Sequence, residues 1–459
     1  MNRAIATLRV CGIAAALGSA ALPAHAAEPD VAAIRQEIAA MRADYETRIA
    51  TLEARVAAAE AAAAATSAPS PAEPGQAVDE PVELAEDTLD EPPATSAPAP
   101  ANALNPGTSV VLNGNYFASS RDPSMARMPG FALGDETGPP SRGFSLAESE
   151  VTLAANVDPS LYASLTVAFD GQGEAGVEEA YIQTTALPGG LTLKGGRFFS
   201  GVGYLNERHG HNWSFIDMPL PYRAMLGNQY GDDGVQVRWL SPTALFLEFG
   251  GEWFRGDSFP AGNGADRGAG VQTAFVHTGG DIDDSSSWLA AASYIHTRAD
   301  ARETQDPLLG TDLFSGDSDL TILSAVYKWA PGGNSVQRNL MLSGEYFLGT
   351  ESGLFNGLAL DRDNTGWYVQ GVYQFRPRWS VGLRYAALDA GEVGPLLAGS
   401  TLDDLGVGAR AATALLEYDS SEFGRFRLQY TRDESDLRAN DALLFQYTVT
   451  YGPHGAHRY

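Results

Sequence analysis

The chain of 459 residues carries 57 acidic against 30 basic side chains, a net charge of −27, which argues against nucleic acid or an anionic membrane surface as a partner. Its hydrophobic fraction is 44%, yet beyond the first 26 residues no apolar run approaches the ~20 residues of a spanning helix, so a membrane crossing would have to be made by strands. The single cysteine, Cys11, falls in the leader described next; this leaves the mature chain without disulfides or thiolate metal sites.

Residues 1–26 combine Arg3 and Arg9, a short apolar run and the small-x-small triplet Ala24-His25-Ala26, the pattern of a removed signal peptide. Leu8-Arg9-Val10 ahead of Cys11 does not suit a lipid-anchor signal. In 27–64, Ile34, Ile38, Met41, Tyr45, Ile49, Leu52 and Val56 recur every three or four positions, which predicts a periplasmic coiled coil. At ~1.5 Å per residue it would reach about 50 Å, as a spacer, a trimerising stalk or a contact to the cell wall. Residues 65–106 turn to Pro, Ala, Ser and acid, an extended linker with little to bury.

Across 107–459 the period becomes two, as in Trp367-Tyr368-Val369-Gln370-Gly371-Val372-Tyr373-Gln374-Phe375. About 16 strands start near Thr108, Phe144, Leu161, Val177, Leu191, Gly234, Ala244, Gly270, Ser287, Leu320, Leu340, Gly366, Trp379, Gly406, Arg425 and Ala442. Roughly every second connection is tight, for example Leu187-Pro188-Gly189-Gly190 and Arg376-Pro377-Arg378. The intervening ones read as long polar loops at 120–142, 204–233, 257–267, 299–318 and 389–404. That parity predicts an all-β, antiparallel transmembrane barrel with short periplasmic turns and long external loops. Aromatics such as Trp239, Trp329, Trp367 and Trp379 fall towards strand ends, where interfacial girdles belong. The other row carries Glu148, Glu150, Glu179, Glu248, Glu252, Glu345, Arg238, Arg384, Arg425 and Arg427, and charges on an inner face predict a wet lumen.

This succession of leader, coiled coil, linker and barrel resembles Gram-negative outer-membrane porins, particularly the phosphate-selective porin O/P-like group. Gly196-Arg197-Phe198-Phe199, Glu207-Arg208-His209-Gly210-His211-Asn212-Trp213 and the tail Gly452-Pro453-His454-Gly455-Ala456-His457-Arg458-Tyr459 resemble a related porin-like family ending in Gly-x-His-x-x-His-x-aromatic. Some of its relatives are described as zinc-regulated receptors. The resemblance implies passive diffusion of small polar solutes or ions, a homotrimer in outer-membrane lipid, and a closing aromatic, Tyr459, read by the barrel-insertion machinery. It also implies that the loop 204–233 folds inward and constricts the pore. The residues then expected at the constriction are Glu207, Arg208, Asp217 and Arg223 on the loop, facing Arg238, Arg384, Arg425 and Arg427 on the wall across a transverse field. Only Lys194 and Lys328 add lysine to the barrel, too few for a phosphate ladder, so the acidity favours cations or neutral solutes.

His209-x-His211 in an extended segment would put both imidazoles on one face, with Glu207 two residues earlier, a donor set that suits zinc; no other cofactor is expected. A metal-associated uptake protein and a non-conducting envelope tether are therefore the alternative readings. His277 and His296, expected on neighbouring strands, come without a convincing serine-acid constellation, and no enzymatic site is expected.

Overall fold

A computed structural model describes residues 106–171, 173–262 and 268–452. The expected leader, coiled coil, linker and histidine tail lie outside the described residues. The strands are β1 (Gly107–Ser119), β2 (Gly143–Leu146), β3 (Ser149–Asp158), β4 (Leu161–Phe169), β5 (Ala175–Thr184), β6 (Leu191–Phe199), β7 (Gly231–Leu240), β8 (Phe246–Phe254) and β9 (Val271–Asp283). They continue as β10 (Ser286–Asp306), β11 (Gly310–Trp329), β12 (Asn339–Phe355), β13 (Leu358–Arg376), β14 (Trp379–Asp389), β15 (Arg410–Ser421), β16 (Gly424–Asp433) and β17 (Asn440–Tyr451). Successive strands pair antiparallel, except that β2 and β3 do not pair with each other, and β1 pairs with β17, so the sheet closes on itself and no edge is left. β2 and β3 are two pieces of one strand, because both pair with β1, so the 17 segments make a barrel of sixteen strands.

The residue rows explain why such a sheet crosses a membrane. On β13 the outward row from Trp367 through Val369, Gly371 and Tyr373 to Phe375 is apolar, spanning about 20–25 Å of tilted strand. The inward row at the same height holds the buried Gln370 and Gln374, and the neighbouring strands add Ser343, Glu345, Arg384 and Thr413. Polar groups inside and apolar groups outside is the reverse of a water-soluble barrel, and it fits a wall between lipid and an aqueous bore.

Two features depart from the sequence reading. First, 299–318 is not a loop. β10 and β11 run on to a tight turn at 307–309, and β12 and β13 meet at Asn356 and Gly357. Alternation persists there with other residues: beyond Trp367 the outward row of β13 reads Thr365, Asp363, Asp361, while Phe314, Phe355 and Leu360 turn inward, beside buried Arg302 and Arg362, against Ala132, Leu397 and Leu402 of the loops 120–142 and 390–409. A stretch with polar residues on its outer face looks like a loop in sequence, but it is a collar standing in water beyond the lipid.

Second, the lumen is only partly polar. The connection 200–230 folds inside the barrel and carries a short helix, α1 (Leu220–Leu226), whose Leu220, Tyr222, Met225 and Leu226 are buried. With Val202, Leu205 and Met218 they pack on inward Phe254, Ile295, Ile322, Phe347 and Leu388, making an apolar core inside the barrel. Gly227 ends the helix at φ 65°, the left-handed C-cap that glycine adopts without penalty, and its N–H donates to Tyr222 O.

Candidate functional site

The inner connection 200–230 is fastened to inward-facing side chains around the barrel. At its start, Glu252 on β8 accepts from the Gly201 N–H at 2.9 Å and from the Ser200 hydroxyl. The Gly203 N–H donates to Ser293 Oγ on β10 at 3.0 Å. Glu345 on β12, buried, accepts from the Tyr204 N–H at 2.7 Å and from the hydroxyls of Tyr222 and Tyr368 at 2.8 and 2.7 Å. A carboxylate so surrounded by donors meets the requirement that a buried charge be hydrogen-bonded.

The guanidiniums named from sequence sit at the same interface. Arg384 on β14 donates to Asp217 O at 2.6 Å and pairs with the Asp217 carboxylate, which also accepts from Gln429 at 2.8 Å. Burial disfavours the charge on Asp217, but Arg384, the Gln429 hydrogen bond and Arg223 together outweigh it and hold the carboxyl below the usual aspartate range. Arg427 on β16 is fully buried, donating to Trp213 O at 2.6 Å and to Gln446. Arg425 donates to His211 O and lies 3.8 Å from Glu417. Arg238 on β7 pairs with Glu207 and lies 3.5 Å from Glu248. Arg223 is 3.7 Å from Asp433. Arg208 folds back over the Tyr204 ring, 4.3 Å from its centroid, and donates to Tyr204 O. The structure thus brings Glu207 to Arg238 and Asp217 to Arg384 at contact distance. Apart from Arg208, which folds back on its own segment, these arginines fasten the loop to the wall, whereas the sequence reading set wall arginines opposite carboxylates across a transverse field.

The histidines differ from expectation as well. Glu207 is taken by Arg238, and 210–212 is a 3-10 turn, so the extended His209-x-His211 face with Glu207 does not form. His209 instead meets three carboxylates of the wall. Its Nδ1 lies 3.2 Å from Glu178 Oε2 and 3.3 Å from Glu150 Oε2, and its Nε2 is 3.0 Å from Glu179 Oε2. His211 Nδ1 lies 3.0 Å from Glu150 Oε1. Burial opposes a charge on His209, but the hydrogen bonds to Glu150, Glu178 and Glu179 prevail and raise its pKa well above the ordinary imidazole value.

Two β-bulges deliver these carboxylates. Gly114 pairs with Leu146 and Val111 with Glu150, so the β2–β3 strand holds one extra residue. That residue reverses the facing: Phe144 and Leu146 point outward at 89% and 65% exposure, and Glu150 points inward, buried. On β5, Val167 pairs with Val177 but Thr166 with Glu179, so Glu178 is extra, and two consecutive glutamates share the inner side. Glu178 was missed from sequence; the signal was a Glu-Glu pair interrupting the alternation.

Between the loop and β1, β14, β15, β16 and β17 lies a cavity of about 900 Å³ that reaches the connections 120–142 and 434–439. Its lining carries eight carboxylates, Asp122, Asp135, Glu136, Glu148, Asp170, Asp217, Asp433 and Asp436, against five guanidiniums, Arg121, Arg127, Arg223, Arg384 and Arg438. Asn113, Thr413, Gln429 and Gln446 complete the polar wall.

No protein-family model matches the chain. An uncharacterized protein of Aquifex aeolicus (strain VF5) is 29% identical over 399 residues, which cover 79% of this chain and 81% of that protein. Among solved structures, the loop L8 deletion mutant of OmpT, an outer membrane protein of Vibrio cholerae, superposes with a TM-score of 0.47 at 12% identity, over 75% of this chain and 98% of that one. An anion-selective porin from Comamonas acidovorans gives 0.48 at 8% identity over 75% and 98%. OprB of Pseudomonas putida gives 0.47 at 14% over 76% and 94%.

Proposed function

We propose that this chain is an outer-membrane, porin-like channel through which small polar solutes and ions diffuse passively, narrowed by the inner loop. The observation that carries this reading is the polar cavity between loop and wall inside a closed barrel with an apolar exterior. A polar space between a docked loop and the wall suits a diffusion channel; energy-driven movement is not needed for it. Carboxylates outnumber guanidiniums along the lining, and three of the five arginines there are matched within it, Arg121 to Asp436, Arg223 to Asp433 and Arg384 to Asp217. The surplus is negative, so cations and neutral solutes pass more readily than anions. Assembly as a homotrimer belongs to the same proposal and rests on the heptad spacing of 31–64.

Planar bilayers separated by a tenfold potassium chloride gradient test both parts. Stepwise conductance with a reversal potential on the potassium side is expected. Absence of steps from correctly folded protein removes the channel reading, and reversal on the chloride side removes the selectivity.

A further inference from the structure

The meeting of one imidazole with three carboxylates is more than a hydrogen-bonded knot requires. A neutral carboxamide or a single acid would satisfy an imidazole N–H, yet here two separate strands each break their pleat by one residue to bring Glu150 and Glu178 to the same nitrogen. Bulges are the device by which strands re-aim side chains at functional positions. His209 Nδ1, a Glu150 oxygen and a Glu178 oxygen all lie within 4.8 Å of one another. The nitrogen-to-oxygen separations of 3.2 and 3.3 Å match the ~3.4 Å edge of a tetrahedron with metal–ligand bonds of about 2.1 Å. Glu179 at Nε2 fixes the ring with that nitrogen protonated and Nδ1 turned to the carboxylates, and His211 steadies the second oxygen of Glu150. A carboxylate behind the imidazole and a donor behind the carboxylate is the outer arrangement that orients ligands around a metal.

We propose that His209, Glu150 and Glu178 form a divalent transition-metal site that cross-links the inner loop to the barrel wall. Three protein ligands leave the fourth position for water or a passing ligand, and the mixed nitrogen and oxygen set selects zinc-like ions over calcium or magnesium, which take oxygen alone. The bound ion would hold the loop against β3 and β5, on the side of the bore where His211 and Glu148 line the cavity. The site stands whether or not the barrel conducts.

The test uses full-length protein in detergent, stripped by a chelator and titrated calorimetrically with zinc chloride alone. One equivalent is expected in the wild type, none in His209→Ala or Glu178→Gln, and binding about 10–100-fold weaker in Glu179→Gln. The double variant His454→Ala/His457→Ala keeps its equivalent. Cobalt added in place of zinc gives visible ligand-field absorption that His209→Ala loses, and heat-modifiable migration in gels shows that each variant is a folded barrel. Equal binding by wild type and folded His209→Ala, or loss of binding only in the tail variant, overturns the proposal.

Discussion

Asp217 shows how a single residue decides where the inner loop rests. Its carboxyl is held below the ordinary aspartate value of ~3.9 because Arg384, Gln429 and Arg223 together outweigh burial. A group whose pKa is lowered by docking contributes attachment that is present above its free value and lost only as pH falls through the lowered one. Channel current should therefore stay quiet from pH 7 down to about 4.5 and become noisy only in stronger acid, where the carboxylate protonates. Asp217→Asn should be noisy across the whole range. Loosening of the wild type already at pH 6 would count against this account. Arg384→Ala removes two donors at once and should weaken docking by about 2 kcal/mol, seen as larger, fluctuating conductance steps with the barrel intact. Glu345 is the matching anchor at the other end, and Glu345→Gln keeps its shape but removes the charge that four donors share.

Among the elements, the collar formed by β10, β11, β12 and β13 is held by Glu351, which pairs with Arg362 at 2.5 Å and lies 3.8 Å from Arg302. Arg362 also donates to Gly130 O and Ala390 O, so one guanidinium secures the loops 120–142 and 390–409 to the wall. Arg362→Ala should cost about 1–3 kcal/mol locally, since it leaves the half-buried Glu351 with Arg302 alone, 3.8 Å away. Limited proteolysis should then cut within 390–409 while thermal melting of the belt is unchanged; protected loops would disprove the role. How far these elements could be read from sequence follows from the same physics. Strand starts and tight turns such as Leu187-Pro188-Gly189-Gly190 were legible, because alternation and proline-glycine turns are local properties. The collar was not, because alternation with polar outer residues mimics a loop. The acidic nest around His209 was also hidden. Glu148, Glu150 and Glu179 were recognisable as inward, but the bulge that adds Glu178 changes the facing without changing the residues. That Glu207 would go to Arg238 rather than to the imidazoles depends on a contact between distant segments, which spacing along the chain does not encode.

At the scale of the whole barrel, two rows of opposite polarity respond oppositely to charge. Leu383 stands at mid-belt on the outer face, 70% exposed, between Trp379 and Tyr385. Leu383→Arg should destabilise the folded barrel in lipid by about 2–4 kcal/mol by denaturant titration, whereas Thr431→Arg, on the inner face where the side chain lines the acidic cavity, should not approach that cost. Equal effects would mean that the assignment of faces is wrong.

The change in the outward row beyond Trp367 has a further meaning. It works as a waterline painted on the hull: on β13 an outward Trp367 or Val369 is at home below it, an outward Asp363 or Asp361 above it. A vessel so marked cannot ride higher or lower without wetting oil or drying charge. Its taller flank must always rise into the surroundings by the same height, whatever the loops around it are doing.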